Sequence, residues 1–229
     1  MNELLFTGSM ALYFVMISLA YRIWGKAGLY GWIVFAVIMA NIEALICVDM
    51  FSVSTTLGNV MYGTLYLATD ILNENYGPHA ARRGVTIGFG MMAALTISSM
   101  LNVYFRPNGD DLAHDAFTVL FEFMPRMALS SYLTYLISNL VDIRIYSLLR
   151  RLFPSGRAFW IRNNGSTLAS QLVDTVLFSA MAYTGILPFQ TVVEIAISMY
   201  IFKFVVSWFD TPFLWYAKRA KAAGKVREA

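Results

Sequence analysis

Residues 84–105 read GVTIGFGMMAALTISSMLNVYF, a run without a single charged side chain. A bilayer-spanning helix needs about 20 mostly apolar residues, and this run supplies them. Residues 4–21, LLFTGSMALYFVMISLAY, form a second uncharged run. The apolar residues in both are continuous, whereas barrel strands alternate with period two over about ten residues, so helices are expected. Working outward, five further stretches qualify: Ala27–Val48, Phe51–Leu72, Met127–Leu149, Ser166–Leu187 and Phe189–Tyr216. Asp142 and Arg144 interrupt Met127–Leu149, which makes it the least apolar of them. Residues 4–21 do not read as a signal peptide. They lack a basic leading segment, and Arg22 follows them where a small-residue cleavage site would stand.

Composition agrees with this reading. Hydrophobic residues make up 58% of the chain and charged residues 14%. Soluble domains carry about a quarter charged residues, so there is too little polar surface here to coat a water-facing globule. The expected fold class is therefore all-α, a polytopic transmembrane helical bundle. No linker or compositional shift divides residues 1–229, so one domain is expected. The single cysteine, Cys47, excludes an internal disulfide framework, and His79 and His114 lie far apart in polar segments. No metal, cofactor or catalytic residue is expected. The basic balance is read as loop charge rather than as a nucleic-acid surface.

Loop charges set an expected orientation. Of the seventeen Lys and Arg residues, fourteen fall in alternate connections or the tail, two (Arg106 and Arg126) fall in the opposite set, and Lys203 lies within a span. The positive-inside rule then gives seven spans, the N-terminus outside and the C-terminus in the cytoplasm. Residues 116–126, AFTVLFEFMPR, suit either a short interfacial helix or an external loop.

Charges inside the membrane demand an explanation, since each costs roughly 2.5–3.5 kcal/mol even on lenient insertion scales. Asn41 and Glu43 lie in the second span. Asp70, Asn73 and Glu74 close the third at spacings that put them on one helix face. Asn139 with Asp142, and Gln171 with Asp174, repeat an i, i+3 spacing. Glu194, Lys203 and Asp210 lie in the last span, the latter two on one face. Helix–helix glue explains any one of these residues as readily as a binding role does. So many acids against one intramembrane base favour a polar cavity for a solute. Carboxylates and side-chain amides suit a planar heterocycle with adjacent N–H donors, on which Tyr62, Tyr66 and Trp160 could stack. Residue chemistry alone leaves a nucleobase, an amino compound and a cation open.

The segment Tyr66–Gly77, YLATDILNENYG, followed by Ala80-Ala81-Arg82-Arg83, resembles the signature of the VUT/YhhQ family of queuosine-precursor transporters. Pro125-Arg126 with Ser138 and Asp142, residues 160–167 (WIRNNGST) and residues 170–175 (SQLVDT) agree with it in order, as do Lys203 and Asp210-Thr211-Pro212. The resemblance implies uptake, through an inner membrane, of 7-cyano-7-deazaguanine or its aminomethyl counterpart for tRNA modification. It implies a six-helix core at residues 27–217, similar to the binding subunits of vitamin transporters. Residues 1–26 would then be an added helix that fixes orientation or makes contacts in a homodimer, and residues 218–229 a basic cytoplasmic tail. The expected substrate set is Asn41, Glu43, Tyr66, Asp70, Glu74, Asn139, Asn163, Gln171, Asp174 and Lys203. Asp70 and Asp174 would hold the donor edge of the base. One alternative is the binding subunit of an ATP-driven complex, which would need a partner because the chain has no P-loop. An intramembrane aspartyl enzyme is less favoured, as no GxGD-type motif is present.

Overall fold

A computed structural model describes residues 1–153 and 159–227, without the side chains of residues 150, 159–164, 207, 208, 210 and 211. The chain forms a helical bundle. Helix α1 spans Asn2–Glu43, and a hairpin of β1 (Cys47–Met50) and β2 (Val53–Thr56) follows it. Then come α2 (Gly58–Tyr76), α3 (Pro78–Val103), α4 (His114–Glu122), α5 (Met124–Leu152), α6 (Phe159–Tyr183) and α7 (Phe189–Ala222). Among the described residues, three stretches combine the length and apolarity needed to cross a membrane: Asn2–Glu43, Pro78–Val103 and Phe189–Val206.

Helix α1 is two arms. At Gly25 the backbone takes φ 56° and ψ −132°, a conformation essentially reserved for glycine. A side chain on Gly28 would collide with the Ala20 carbonyl, so the chain doubles back at this point. The far ends confirm the reversal. Asn2 Nδ2 donates to Asp49 O at 3.0 Å, and the Phe51 N–H donates to Glu3 Oε1 at 3.2 Å. The break separates the first two expected spans where the sequence places Arg22 and Lys26. Each arm buries one stripe, Phe6, Met10, Phe14, Ile17 and Tyr21 on the first and Leu29, Trp32, Ile33, Ala36, Val37 and Ala40 on the second. Leu4, Leu12, Val15, Leu19, Ile23 and Phe35 stay exposed. A helix apolar on both its packed and its open face is built for lipid.

The second and third spans differ from their expected limits. The helix expected over Ala27–Val48 ends at Glu43, and the one expected over Phe51–Leu72 begins at Gly58. The antiparallel hairpin takes the intervening residues, pairing Cys47 with Thr56 and Met50 with Val53. Val48, Val53, Thr55 and Thr56 are β-branched and favour strand over helix. Phe51 and Ser52 sit at φ 52° and 62°, as a two-residue type I′ connection requires, although neither is glycine. Residues 116–126 resolve into the short α4 and the start of α5 rather than a loop.

Close packing ties the helices together. A Cβ on Gly63 would overlap the Val206 side chain, so glycine lets α2 approach α7, as small residues do at membrane helix contacts. Helix α5 packs along α6, α1 packs on α2 and α3, and α7 touches α2, α6 and β2. The connections segregate to two ends. At one end Lys218 bridges Glu74 at 2.5 Å, Lys221 bonds the Asn75 carbonyl, and the Arg227 N–H donates to Arg22 O at 3.2 Å. At the other end Arg126 clamps α5 to the end of α6 through Met181 O (2.7 Å) and Thr184 O (2.5 Å).

Two glycine exchanges test these turns in purified protein, read as the midpoint of thermal unfolding in detergent. Gly25→Ala should destabilise by about 1–3 kcal/mol, the usual cost of a non-glycine side chain in such a conformation. Ser52→Gly should stabilise by about 1 kcal/mol, because it removes a left-handed penalty of that order. Equal midpoints for all three proteins would contradict the backbone assignment.

Candidate functional site

The centre of the site is a buried ion pair. Asp174 on α6 and Lys203 on α7 meet at 2.6 Å, with side chains 6% and 4% exposed. Each charge keeps further partners. Ser138 Oγ on α5 donates to Asp174 Oδ1 at 3.2 Å, and Lys203 Nζ donates to Thr175 Oγ1 at 3.1 Å. The Lys203 ammonium also lies 5.1 Å from the centroid of the Tyr62 ring, a cation–π distance. One carboxylate offers about four acceptor positions, and the described residues occupy two of them. Asp174 therefore retains capacity for a ligand's donors.

A narrow cavity opens beside this pair. Its polar wall is Asn41, Thr56, Asn59, Tyr62, Ser131, Asp174 and Lys203, and Ala40, Ala44, Phe178 and Met199 complete it. The cavity volume is about 20 Å³, too small for a solute with the side chains as they stand. Five helices (α1, α2, α5, α6 and α7) and the end of β2 bring the polar groups together. Asn41 comes from the end of α1, where its Nδ2 donates to Val37 O (2.8 Å) and its Oδ1 accepts from Ser131 Oγ of α5 (2.7 Å). Asn59 comes from the first turn of α2, fixed by Thr55 Oγ1 at 2.9 Å and Thr56 O at 3.1 Å. Tyr62 stands edge-on to Tyr66, with centroids 5.4 Å apart.

The expected site residues divide into groups. Asn41, Asp174 and Lys203 share the cavity wall. Tyr66 is one turn beyond Tyr62, and Asp70 one turn further, so Tyr62, Tyr66 and Asp70 form a stripe along α2 toward the end that carries Glu74. Asp70 is exposed at that end and Tyr66 half-buried. Gln171 is half-buried one turn from Asp174 and does not line the cavity. Glu43 is also off the wall. Two residues from Asn41 on a helix means roughly the opposite side. Asn139 is exposed, and its neighbour Ser138 points to Asp174 instead. Glu74 is held by Lys218 at the surface. The side chains of Asn163, Trp160 and Asp210 lie outside the described residues.

Ser131, Ser138, Thr175 and Asn59 were not among the expected ligands, yet they hold the site together. Ser131, Thr134 and Ser138 recur at i, i+3 and i+7, a face of small polar side chains on an otherwise apolar helix. That spacing was the available signal. A search for charges passes over it. Beyond the cavity, toward the hairpin, Leu45, Ile46, Val119, Phe123, Met127 and Leu187 line an apolar crevice. Ala44 borders both spaces, and Tyr183 Oη donates to its carbonyl at 2.8 Å.

The pair makes a stability prediction. Asp174→Asn leaves a buried ammonium without a counter-charge, and Lys203→Met leaves a buried carboxylate. Each should cost about 3–5 kcal/mol, whereas the double variant should cost clearly less than the sum. Thermal unfolding in detergent measures this, and additive losses would mean the two side chains do not act together.

The model of the family described as putative vitamin uptake transporter matches residues 56–217. A probable queuosine precursor transporter of Bacillus subtilis (strain 168) is 43% identical over 208 residues, covering 91% of each chain. The queuosine precursor transporter of Escherichia coli (strain K12) is 28% identical over 163 residues, 70% of this chain and 71% of its own. No solved structure matches the chain. The family match takes in α2 through α7, and with them Asn59, Asp174 and Lys203, so the chain belongs to the VUT/YhhQ family of membrane transporters that its 66–83 segment resembles.

Proposed function

We propose that this protein imports queuosine precursors, 7-cyano-7-deazaguanine or 7-aminomethyl-7-deazaguanine, across a cytoplasmic membrane. The observation that carries the reading is the Asp174–Lys203 pair on the wall of a cavity also built from Asn41, Asn59 and Tyr62. The likeness to the Bacillus subtilis and Escherichia coli transporters names the cargo class. A guanine-type edge presents two parallel N–H donors, which one carboxylate accepts as a bidentate pair. In this mechanism Asp174 takes that edge. Lys203 is released from the carboxylate as the ligand arrives and turns its donors to the ligand's carbonyl oxygen. Tyr62 covers a face of the ring.

Without ligand, Asp174 and Lys203 satisfy one another, so the empty site need not hold an isolated charge in a low-dielectric interior. Entry requires the side chains around the cavity to part. On the side of the hairpin the path leads through the apolar crevice and past the Tyr183–Ala44 contact. On the other side it runs along Tyr66 to Asp70, which waits at the exposed end of the α2 stripe. The orientation follows the loop charges, with seven spans, the N-terminus outside and the C-terminus in the cytoplasm. The Glu74–Lys218 and Asn75–Lys221 contacts then lie on the cytoplasmic face. The chain works without a resident cofactor, and its core at residues 27–217 carries the site.

Uptake in cells that depend on an external precursor tests this reading. Asp174→Ala and Asp70→Ala should abolish precursor-dependent tRNA modification while the protein still inserts into the membrane. Wild-type uptake in both inserted variants would sink the assignment.

A further inference from the structure

Among the described residues on the cavity wall, one buried polar side-chain atom has no hydrogen-bond partner: Oδ1 of Asn59. Asn59 is 2% exposed, so water does not satisfy that oxygen from the surface. Which end of the amide it represents follows from its neighbours. The other end contacts the Thr56 carbonyl at 3.1 Å and Thr55 Oγ1 at 2.9 Å. A carbonyl oxygen can only accept, so the amide nitrogen must face Thr56, and the oxygen is turned away from both partners. The amide is held in this orientation by the end of β2 and the first turn of α2. Asn41 and Asp174 on the same wall have partners: Asn41 has Val37 and Ser131, and Asp174 has Ser138 and Lys203.

A buried acceptor left unsatisfied calls for a donor, and on a cavity wall a ligand can bring one. Building on the transport reading above, we infer that Asn59 accepts the N–H of the ligand's five-membered ring and makes the protein selective for a free base. If Asp174 takes the two parallel donors of the six-membered ring, the remaining ring N–H is the pyrrole one. A ribosylated or alkylated base has no hydrogen at that nitrogen. It would leave the Asn59 oxygen buried and unpaired, besides having to fit its substituent into a narrow cavity. Rejection by an unpaired polar group discriminates more strongly than a hydrophobic wall can. Asn59 would therefore separate precursor bases from nucleosides of the same ring system.

The test is a two-sided deletion, read as Kd for the purified full-length protein in detergent. The parent ligand is 7-cyano-7-deazaguanine, and the probe is its furopyrimidine isostere, in which a ring oxygen replaces the pyrrole N–H without added bulk. Wild type should bind the isostere about tenfold or more weakly, the size of one buried hydrogen bond left unmade. In Asn59→Ala the parent should weaken by a similar factor, and the gap between the two ligands should close. A 2-deamino analogue, which lacks a donor assigned to Asp174, should keep its own gap in Asn59→Ala. Equal wild-type affinity for parent and isostere overturns the inference without any variant, so it stays falsifiable even if Asn59→Ala does not fold. An unchanged gap in Asn59→Ala overturns it too, while leaving the transport reading in place. Failure of wild type to bind the parent at all removes both.

Discussion

A lysine among apolar helices must be neutralised where it stands, and Lys203 meets that constraint with Asp174. The pair fixes how α6 and α7 face one another, because neither charge can turn toward lipid without a desolvation cost of several kcal/mol. Ser138 and Thr175 bond its two members, and Tyr62 places its ring near the ammonium. The pair is thus the point on which α2, α5, α6 and α7 converge. A purely packing role would be served better by hydrophobic residues of similar volume. Ionic groups at this depth are accounted for most economically by a solute that exchanges places with one of them.

The helices around this pair fall into two sets. The two arms of α1 pack with α2 and α3, α5 packs with α6, and α7 touches both sets. The cavity lies where the sets meet, since Asn41, Asn59 and Tyr62 come from one and Ser131 and Asp174 from the other. Contacts at the two ends tie the helices across this meeting, α7 to α2 through Lys218 and Glu74 at one, and α6 to the end of α1 through Tyr183 and Ala44 at the other. A solute path between the sets would open one end contact at a time. These are polar links in exposed or apolar surroundings, with Lys221 and Asn75 adding to the first, and each is weak enough to exchange.

Much of this was legible in the sequence. The uncharged runs at 4–21 and 84–105 announced membrane helices, because the cost of unsatisfied backbone in lipid leaves few alternatives. Arg22 and Lys26 marked a break that Gly25 executes. Asp174 and Lys203 stood out because intramembrane charges are rare. The hairpin at 47–56 was hidden, since its apolar and β-branched residues read equally as helix when only hydropathy is weighed. Glu43 and Asn139 lie off the cavity wall, because two residues along a helix from Asn41, or one from Ser138, face another way. Ser131 and Asn59 escaped notice because neutral side chains carry no hydropathy signal, and their roles, like that of Ser138, depend on what a distant helix brings opposite them.

The central claim is that the Asp174 cavity binds a deazaguanine, and thermal stabilisation of the purified protein by ligand tests it most directly. Saturating 7-cyano-7-deazaguanine should raise the unfolding midpoint of the wild type, by linkage of binding to the folded state, while adenine at the same concentration, whose edge lacks the two parallel donors, should do so far less. The shift should vanish in Asp174→Asn corrected for its own lower midpoint. Equal shifts with both bases, or a shift that survives in Asp174→Asn, would contradict the account.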